Sequence, residues 1–206
     1  NPIATAQDYV SESGGNALSL RLSPLGLSGL HGLLRDKPLT TLMVRSLGFR
    51  TSTDLGIFHP VRKHPEASVL RTVEDICAFL ENPAHYPCFG KPLDASRSIG
   101  CVSMTDVSGG EISLADGRVV PVAKLAGEIH DNFQHGYLFQ KCVVQDPRMT
   151  AITGQTTSTL RIVTLRLKAG FECLYVVQKI AAKGAMFDGF AGKGSNAMCH
   201  VDPETG

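Results

Sequence analysis

The stretch that most constrains the fold is QTTSTLRIVTLRL, residues 155–167, in which apolar side chains recur at every second position. A period of two is the pattern of a β-strand. A turn signal, KAG, follows at 168–170, and a second strand pattern begins after it. The sequence therefore predicts a long hairpin whose first strand packs in a core, although that strand carries Arg161 and Arg166.

The two arginines are expected to have different surroundings. Their positions differ by an odd number, so on a regular strand their side chains point to opposite faces. Arg161 shares its face with Val163 and Leu165, which predicts that this face is a cleft wall that becomes core further along. Arg166 is expected to reach water.

Helix patterns alternate with strand patterns along the rest of the chain. Asp36 is expected to cap a helix that has Pro38 in its first turn and ends at Gly48. A second helix pattern starts at about Thr72. The remaining patterns are strands at about 50–58, 86–91, 101–106, 112–114 and 137–145, and a helix at 122–133. This mixture predicts an α+β fold.

The chain is expected to consist of four segments, the last two of which follow from a family resemblance described below. Residues 1–32 are expected to form an N-terminal arm or short helices, and residues 33–84 a helix and strand segment. Residues 85–143 are expected to form one subdomain, and residues 144–206 the first part of another.

Charge and composition exclude several partners. Twenty lysines and arginines balance nineteen aspartates and glutamates to a net charge of +1, so no bulk field attracts nucleic acid or an anionic membrane. The six cysteines show neither a CxxC pair nor zinc-ligand spacing, which favours reduced thiols and a cytoplasmic location. No apolar run approaches the ~20 residues of a membrane span, and no signal-peptide pattern opens the chain.

A phosphate-binding loop is one interpretation of the stretch CFGKPLDASRSIG. Lys91 ends a strand pattern, and the loop after it offers the donors Ser96, Arg97 and Ser98 together with Gly100. The alternative is an exposed hairpin with a surface lysine, because the loop matches neither the P-loop nor the dinucleotide-binding pattern.

The order of the motifs resembles the ATP-grasp ligases, and most closely their sugar-transfer-associated or glutamate-ligase-related branch. A helix opens at Asp36-Lys37, and GKP, VVQD and TTSTLRIVTL follow in that order. The later pieces of the family pattern correspond to Lys179 and to the pair Asp188-Gly189. The resemblance covers about residues 33–206, and it implies two α+β subdomains with a nucleotide cleft between them. The smaller of these, the lid, corresponds to the third segment.

The resemblance also implies roles for individual residues around bound ATP. Lys37 and Lys91 grip the phosphates from opposite sides, and the loop from Asp94 to Gly100, with Ser96, Arg97 and Ser98, closes over them. Gln145, Asp146 and Arg148 belong to the hinge beside the adenine. Arg161 and Lys179 face the γ-phosphate as catalytic cations. For three of these residues a structural role stays open: Lys37 as a solvated helix residue, Asp146 as a turn former, and Lys179 as a snorkelling strand residue.

Several positions depart from the family pattern. Ser158 stands for an Asn, Asp146 for a Glu, Lys179 for an Arg, and Gly189 for an Asn. The family pattern then has a Gly-rich turn, which corresponds to AGKGS at 191–195. The Mg²⁺ carboxylates of the family follow that turn by many tens of residues, so the main metal ligands are expected beyond Gly206. Asp188 is a weak candidate ligand, and the ATP-grasp unit is expected to be incomplete at its C-terminus.

The resemblance predicts an ATP-dependent carboxylate–amine ligase that acts through an acyl phosphate on small-molecule carboxylate and amine substrates. The departures favour an alternative, a catalytically weakened nucleotide-binding or scaffolding module with the same fold. A third interpretation, an unrelated α+β protein, predicts that the GKP and VVQD segments do not flank one cleft. The histidines are not expected to form a catalytic set, and the strand neighbours Cys199 and His200 point to opposite faces.

Overall fold

The computed structural model describes residues 14, 17, 21, 28–95, 98–189 and 196–206. The chain divides into two compact units, Asn1–Thr51 and Ser52–Gly206. In the part of the chain that is described, no helix has the length and apolar character needed to cross a membrane.

The described part of the first unit is helical. Helix α1 covers Ser28–Arg35 and helix α2 covers Lys37–Ser46. The carboxylate of Asp36 accepts a hydrogen bond from the backbone N–H of Leu39 at 3.0 Å, which confirms the predicted cap. Gly48 follows α2 with a φ of 86°, a conformation that favours glycine and ends the helix there.

Within its described ranges, the second unit contains two sheets. The larger sheet is built from β1 (Asp54–Phe58), β2 (Ser68–Leu70), β3 (Cys88–Pro92), β4 (Val102–Ser108), β5 (Glu111–Leu114), β6 (Val119–Pro121) and β7 (Tyr137–Lys141). Its strand order is β2-β1-β7-β3-β4-β5-β6. The smaller, antiparallel sheet is built from β8 (Thr159–Leu167), β9 (Gly170–Ile180) and β10 (Ala197–Val201), in the order β10-β9-β8.

Within the same described ranges, three α-helices accompany these sheets: α3 (Val73–Leu80), α4 (Val122–Asn132) and the short α5 (Pro147–Thr153). Pro83–His85 form a short 3-10 helix. Side chains of α3 and α4 share one buried core with the larger sheet, including Ile76, Ile129 and Phe139. The α3 helix begins where the sequence predicts, because Thr72 and Asp75 form a reciprocal capping box. The short helix α5 has no counterpart in the predicted elements.

The larger sheet crosses a predicted domain boundary. Strand β1 pairs antiparallel with β7, with Ile57 opposite Leu138 and Phe58 opposite Tyr137. The prediction placed these strands in the separate segments 33–84 and 85–143. Since they share one hydrogen-bonded ladder and one core, both strands belong to a single structural unit.

Strand β8 is an exposed edge strand, which corrects the expectation that it packs in a core. Both of its arginines are exposed, and so are large apolar residues such as Ile162 at 60% and Leu167 at 45%. Arg161 lies opposite Val177 and Arg166 opposite Phe171 in the β8–β9 ladder. The strand that the period of two predicts is present, but the pattern does not indicate burial, and the ladder has an irregularity between Val163 and Thr164.

Candidate functional site

A cavity of about 500 Å³ opens beside the larger sheet. Its walls come from β3, β4, the end of β7, and the segments before β8 and after β9. The lining residues include Phe89, Lys91, Gln140, Lys141, Cys142, Val143, Thr159, Met186, Phe187 and Asp188. The cavity therefore joins parts of the chain that are distant in sequence.

One part of the cavity wall is aromatic and apolar. The rings of Phe89 on β3 and Phe187 after β9 meet edge to face, with centroids 6.4 Å apart. Met186 lies next to Phe187 on the same wall. Aromatic edges and a flexible thioether give a surface that suits a planar ring.

The other lining groups are polar and differ in charge. Lys91 is half-buried near the end of β3 and contributes a positive charge. Cys142 lines the cavity as a thiol, because burial raises its pKa and favours the protonated form at neutral pH. The side chain of Gln140 is 6% exposed and bonds to a buried carboxylate: its Nε2 donates to Oδ1 of Asp54 at 2.6 Å.

A cluster of Thr159, Lys179 and Asp188 lies at the edge of the cavity. The Thr159 hydroxyl donates to Oδ2 of Asp188, and Nζ of Lys179 lies 3.8 Å from Oδ1 of the same carboxylate. Thr159 and Lys179 are opposite each other in the β8–β9 ladder. The structure thus brings together the predicted residues Lys179 and Asp188, beside a threonine that lines the cavity.

The loop after β3 meets the turn after β9. A Cβ atom added to the buried Gly189 would lie 2.1 Å from the hydroxyl oxygen of Ser98, so the close approach requires glycine. Gly100, at a φ of 72°, would similarly place a Cβ 2.5 Å from the Phe133 ring. The predicted residues Ser96 and Arg97 lie outside the described residues.

The predicted hinge residues Gln145, Asp146 and Arg148 are placed around helix α5 and are not among the cavity-lining residues. Oε1 of Gln145 accepts the backbone N–H of Ser158 at 2.7 Å, and its Nε2 donates to Thr153. Asp146 caps α5 and pairs with Arg148, whose Nε lies 3.0 Å from Oδ1. Hydrogen bonds from Arg148 lower the pKa of the Asp146 carboxyl.

Two further predicted residues have a defined placement. Arg161 is exposed and lies two residues after Thr159 on the same face of β8, but it is not among the cavity-lining residues. Lys37 is the first residue of α2, in the first structural unit.

Gln140, Lys141 and Cys142 also line the cavity, although none of them was among the predicted site residues. A signal was present, because Gln140 interrupts the apolar run of β7, whose first four residues are all buried. A polar side chain at such a position requires a partner. Asp54, a charged residue at the start of the apolar strand β1, likewise indicates a polar partner.

The described residues contain no cluster of side chains that could bind magnesium. No group of three or more His, Cys, Asp or Glu side chains within them is arranged to hold a metal ion. Asp188, the candidate ligand, contacts Thr159 and Lys179 instead.

Comparison of the chain with protein-family models, with curated proteins and with solved structures gave no match. The fold class is α+β, with the two sheets described above.

Proposed function

We propose that this chain has an ATP-grasp fold, binds ATP in the cavity, and acts as an ATP-dependent carboxylate–amine ligase. The observation that carries the proposal is the joint lining of one cavity by Lys91 and Val143. The ATP-grasp interpretation of the sequence requires the GKP and VVQD segments to flank one cleft. The two segments meet because β3 pairs with β7, with Cys88 opposite Lys141.

The size and chemistry of the cavity support a nucleotide ligand. A volume of about 500 Å³ lies in the range of small-molecule sites, roughly 300–1,000 Å³. Phe89 and Phe187 offer an apolar wall to a planar base. Lys91 offers a flexible point charge, which suits a phosphate oxygen.

The proposed reaction has two steps. A carboxylate oxygen of the first substrate attacks the γ-phosphorus of ATP, and ADP leaves as the P–O bond breaks. An amine then attacks the acyl carbon, inorganic phosphate leaves, and the nitrogen gives up a proton to solvent, so that an amide forms. In this scheme Lys91 holds phosphate oxygens, while Lys179 and Arg161 stabilise the negative charge that develops beside the edge of the cavity.

Magnesium would accompany ATP in this reaction and offset phosphate charge. The described residues contain no carboxylate set for it, so we assign the metal to none of them and derive no step from it.

Binding of ATP to the full chain, measured by isothermal titration calorimetry, tests the proposal. We expect measurable binding by the wild type and at least a tenfold loss in Lys91→Met, because one charge-assisted phosphate contact contributes about that factor. Lys168→Met is the matched control, since Lys168 is exposed in the turn between β8 and β9. No binding at millimolar ATP would contradict the proposal.

A nucleotide-binding module without turnover is the second candidate. The observation that favours it is the engagement of Asp188 by both Thr159 and Lys179, which occupies a carboxylate beside the cavity. Release of ADP from mixtures of the protein, ATP, Mg²⁺ and a panel of amino and sugar acids separates the two candidates. ADP release supports the ligase, and binding without ADP release in every mixture supports the module.

A further inference from the structure

Asp54 is a buried carboxylate behind the cavity wall. It is the first residue of β1 and is 3% exposed. In the β1–β7 ladder it lies opposite Gln140, whose Nε2 donates to Asp54 Oδ1 at 2.6 Å. Because Gln140 also lines the cavity, one hydrogen bond connects Asp54 to the cavity wall.

His64 lies on the other side of this carboxylate. Its side chain is 1% exposed, and its Nε2 lies 3.3 Å from Oδ2 of Asp54. Its Nδ1 accepts the backbone N–H groups of Glu66 at 3.2 Å and Ala67 at 3.0 Å. A ring nitrogen that accepts carries no proton, so the proton of the neutral ring is assigned to Nε2, facing Asp54.

The contact between His64 and Asp54 is electrostatic rather than a well-aligned hydrogen bond. Among the described residues, Asp54 Oδ2 and His64 Nε2 are the buried side-chain atoms that lack a hydrogen-bond partner of good geometry. In a low-dielectric interior, a ring N–H dipole 3.3 Å from a carboxylate oxygen still stabilises it. His64 therefore supports the carboxylate that in turn holds Gln140.

The chemistry of Asp54 decides which way the Gln140 amide points. An ionised carboxylate only accepts hydrogen bonds, so Gln140 must present its NH₂ group and not its carbonyl oxygen to Asp54. The carbonyl oxygen Oε1 is then the group that the amide can offer to the cavity. In the β3–β7 ladder Gln140 lies opposite Phe89, so this oxygen belongs to the part of the wall that includes the aromatic rings.

We infer that Asp54 and His64 are positioning residues for Gln140, and that Gln140 accepts a hydrogen bond from an amino group on the ring of the ligand. The inference rests on the proposed function and specifies which nucleobase of the nucleotide the cavity recognises. A 6-aminopurine presents a donor to Oε1, whereas a 6-oxopurine presents an acceptor, which leaves two acceptors facing each other. The site therefore selects ATP over inosine triphosphate.

The ratio of the two dissociation constants tests this inference, because a merely structural role lowers both affinities and leaves their ratio unchanged. For the full-length wild-type chain we expect ATP to bind about tenfold more tightly than inosine triphosphate, the factor for one hydrogen bond against an unpaired acceptor. In Gln140→Met the ratio is expected to fall to about one, since no acceptor remains. Asp54→Asn also lowers it, because an Asn carboxamide lets the Gln140 amide turn over.

Two more variants complete the test. His64→Asn keeps an acceptor near the position of Nδ1 and removes the group that faces Asp54, so its ratio should lie between the wild type and Asp54→Asn. Asp131→Asn is the control, because that side chain is 76% exposed at the end of α4, and its ratio should equal that of the wild type. Thermal melts of each variant confirm that it is folded.

The outcomes separate the two proposals. If the wild type binds neither triphosphate, both the proposed function and this inference are overturned. If the wild type binds ATP but the ratio of the two dissociation constants is the same in the wild type, Gln140→Met and Asp54→Asn, only the inference is overturned. A His64→Asn ratio equal to that of the wild type removes His64 from the assignment.

Discussion

The Nζ atom of Lys179 lies 3.8 Å from Oδ1 of Asp188, and each side chain is only 14% exposed. Lys179 is opposite Thr159 in the smaller sheet, and the hydroxyl of Thr159 donates to the other oxygen of Asp188. Solvent screens such a pair less than it screens a surface pair. Asp188 therefore ties the segment after β9 to the sheet, beside the cavity.

This pair should contribute to stability. We expect Lys179→Met and Asp188→Asn to be non-additive, with a coupling free energy of about 1 kcal/mol in a double-mutant cycle measured by urea unfolding. The comparison pair is Lys124 and Glu128, 3.9 Å apart on the exposed face of α4, where a coupling of only ~0.3 kcal/mol is expected. Additivity at Lys179 and Asp188 would show that their proximity contributes nothing.

Gly90 on β3 should not tolerate a side chain. An added Cβ would lie 2.7 Å from the Tyr137 ring, and that ring is held in place by its hydroxyl, which donates to the carbonyl of Gly100 at 2.8 Å. Gly90→Ala is therefore expected to lower the free energy of unfolding by about 1–3 kcal/mol.

Gly127 provides the matched control for that experiment. It lies within α4, and an added Cβ would meet no atom within 4 Å. Gly127→Ala should raise the free energy of unfolding by about 0.5–1 kcal/mol, since alanine loses less backbone entropy in a helix. Equal effects of the two substitutions in urea titrations would be inconsistent with the packing of Tyr137 over β3.

Alkaline pH should destabilise the fold through Cys88. Burial raises the pKa of its thiol from 9.0 to about 12. Below pH 9 the thiol is protonated in both states; as the pH rises from 9 to 12, the unfolded chain loses this proton and the folded chain keeps it. The free energy of unfolding should then fall by up to ~1.4 kcal/mol per pH unit from this group.

Urea unfolding between pH 8.5 and 11 measures this slope. Cys88→Ala should show a shallower decline than the wild type, because the raised thiol pKa is absent. Burial also raises the pKa values of Tyr86 and Tyr137, so part of the decline should remain. Cys199→Ala, at an exposed position, should keep the wild-type slope.

Asp146 offers a test between a cap and a ligand contact. Because its side chain accepts the backbone N–H of Arg148 at 2.9 Å, Asp146→Ala should lower the melting temperature. Asp146→Asn should largely preserve it, since asparagine is an equally good cap. ATP affinity should be similar in the wild type and Asp146→Asn; a marked loss of affinity in Asp146→Asn would instead support the predicted contact with the nucleotide.

Local signals predicted many of the elements but not their surroundings. The caps at Asp36 and Thr72 were predictable because each acts within three residues of its own position. Helix α5 was missed because its few residues follow a strand pattern without a clear apolar stripe. The alternation of apolar residues predicted that β8 is a strand. Alternation distinguishes the two faces of a strand, but it does not show whether other residues pack on either face.

The candidate site was predicted only in part, because local signals identify single residues but not the residues that surround them. Lys91 could be found from its place at the end of a strand followed by a polar loop. Gln145 was chosen as a hinge residue from its order in the sequence, whereas the structure uses both ends of its amide to hold Thr153 and Ser158. The interrupted apolar run of β7 indicates that Gln140 needs a polar partner, but no local pattern shows that its side chain also lines a cavity.

The sequence by itself determined the α+β class, most of the strands and the helices with caps, because those depend on backbone preferences and contacts a few residues apart. Only the tertiary structure decided that Asp54 bonds to Gln140, 86 positions away in the sequence. It also decided that the buried side chain of His64 faces the Asp54 carboxylate. Hydrogen bonds between distant residues follow from strand order and register, which single local patterns do not encode.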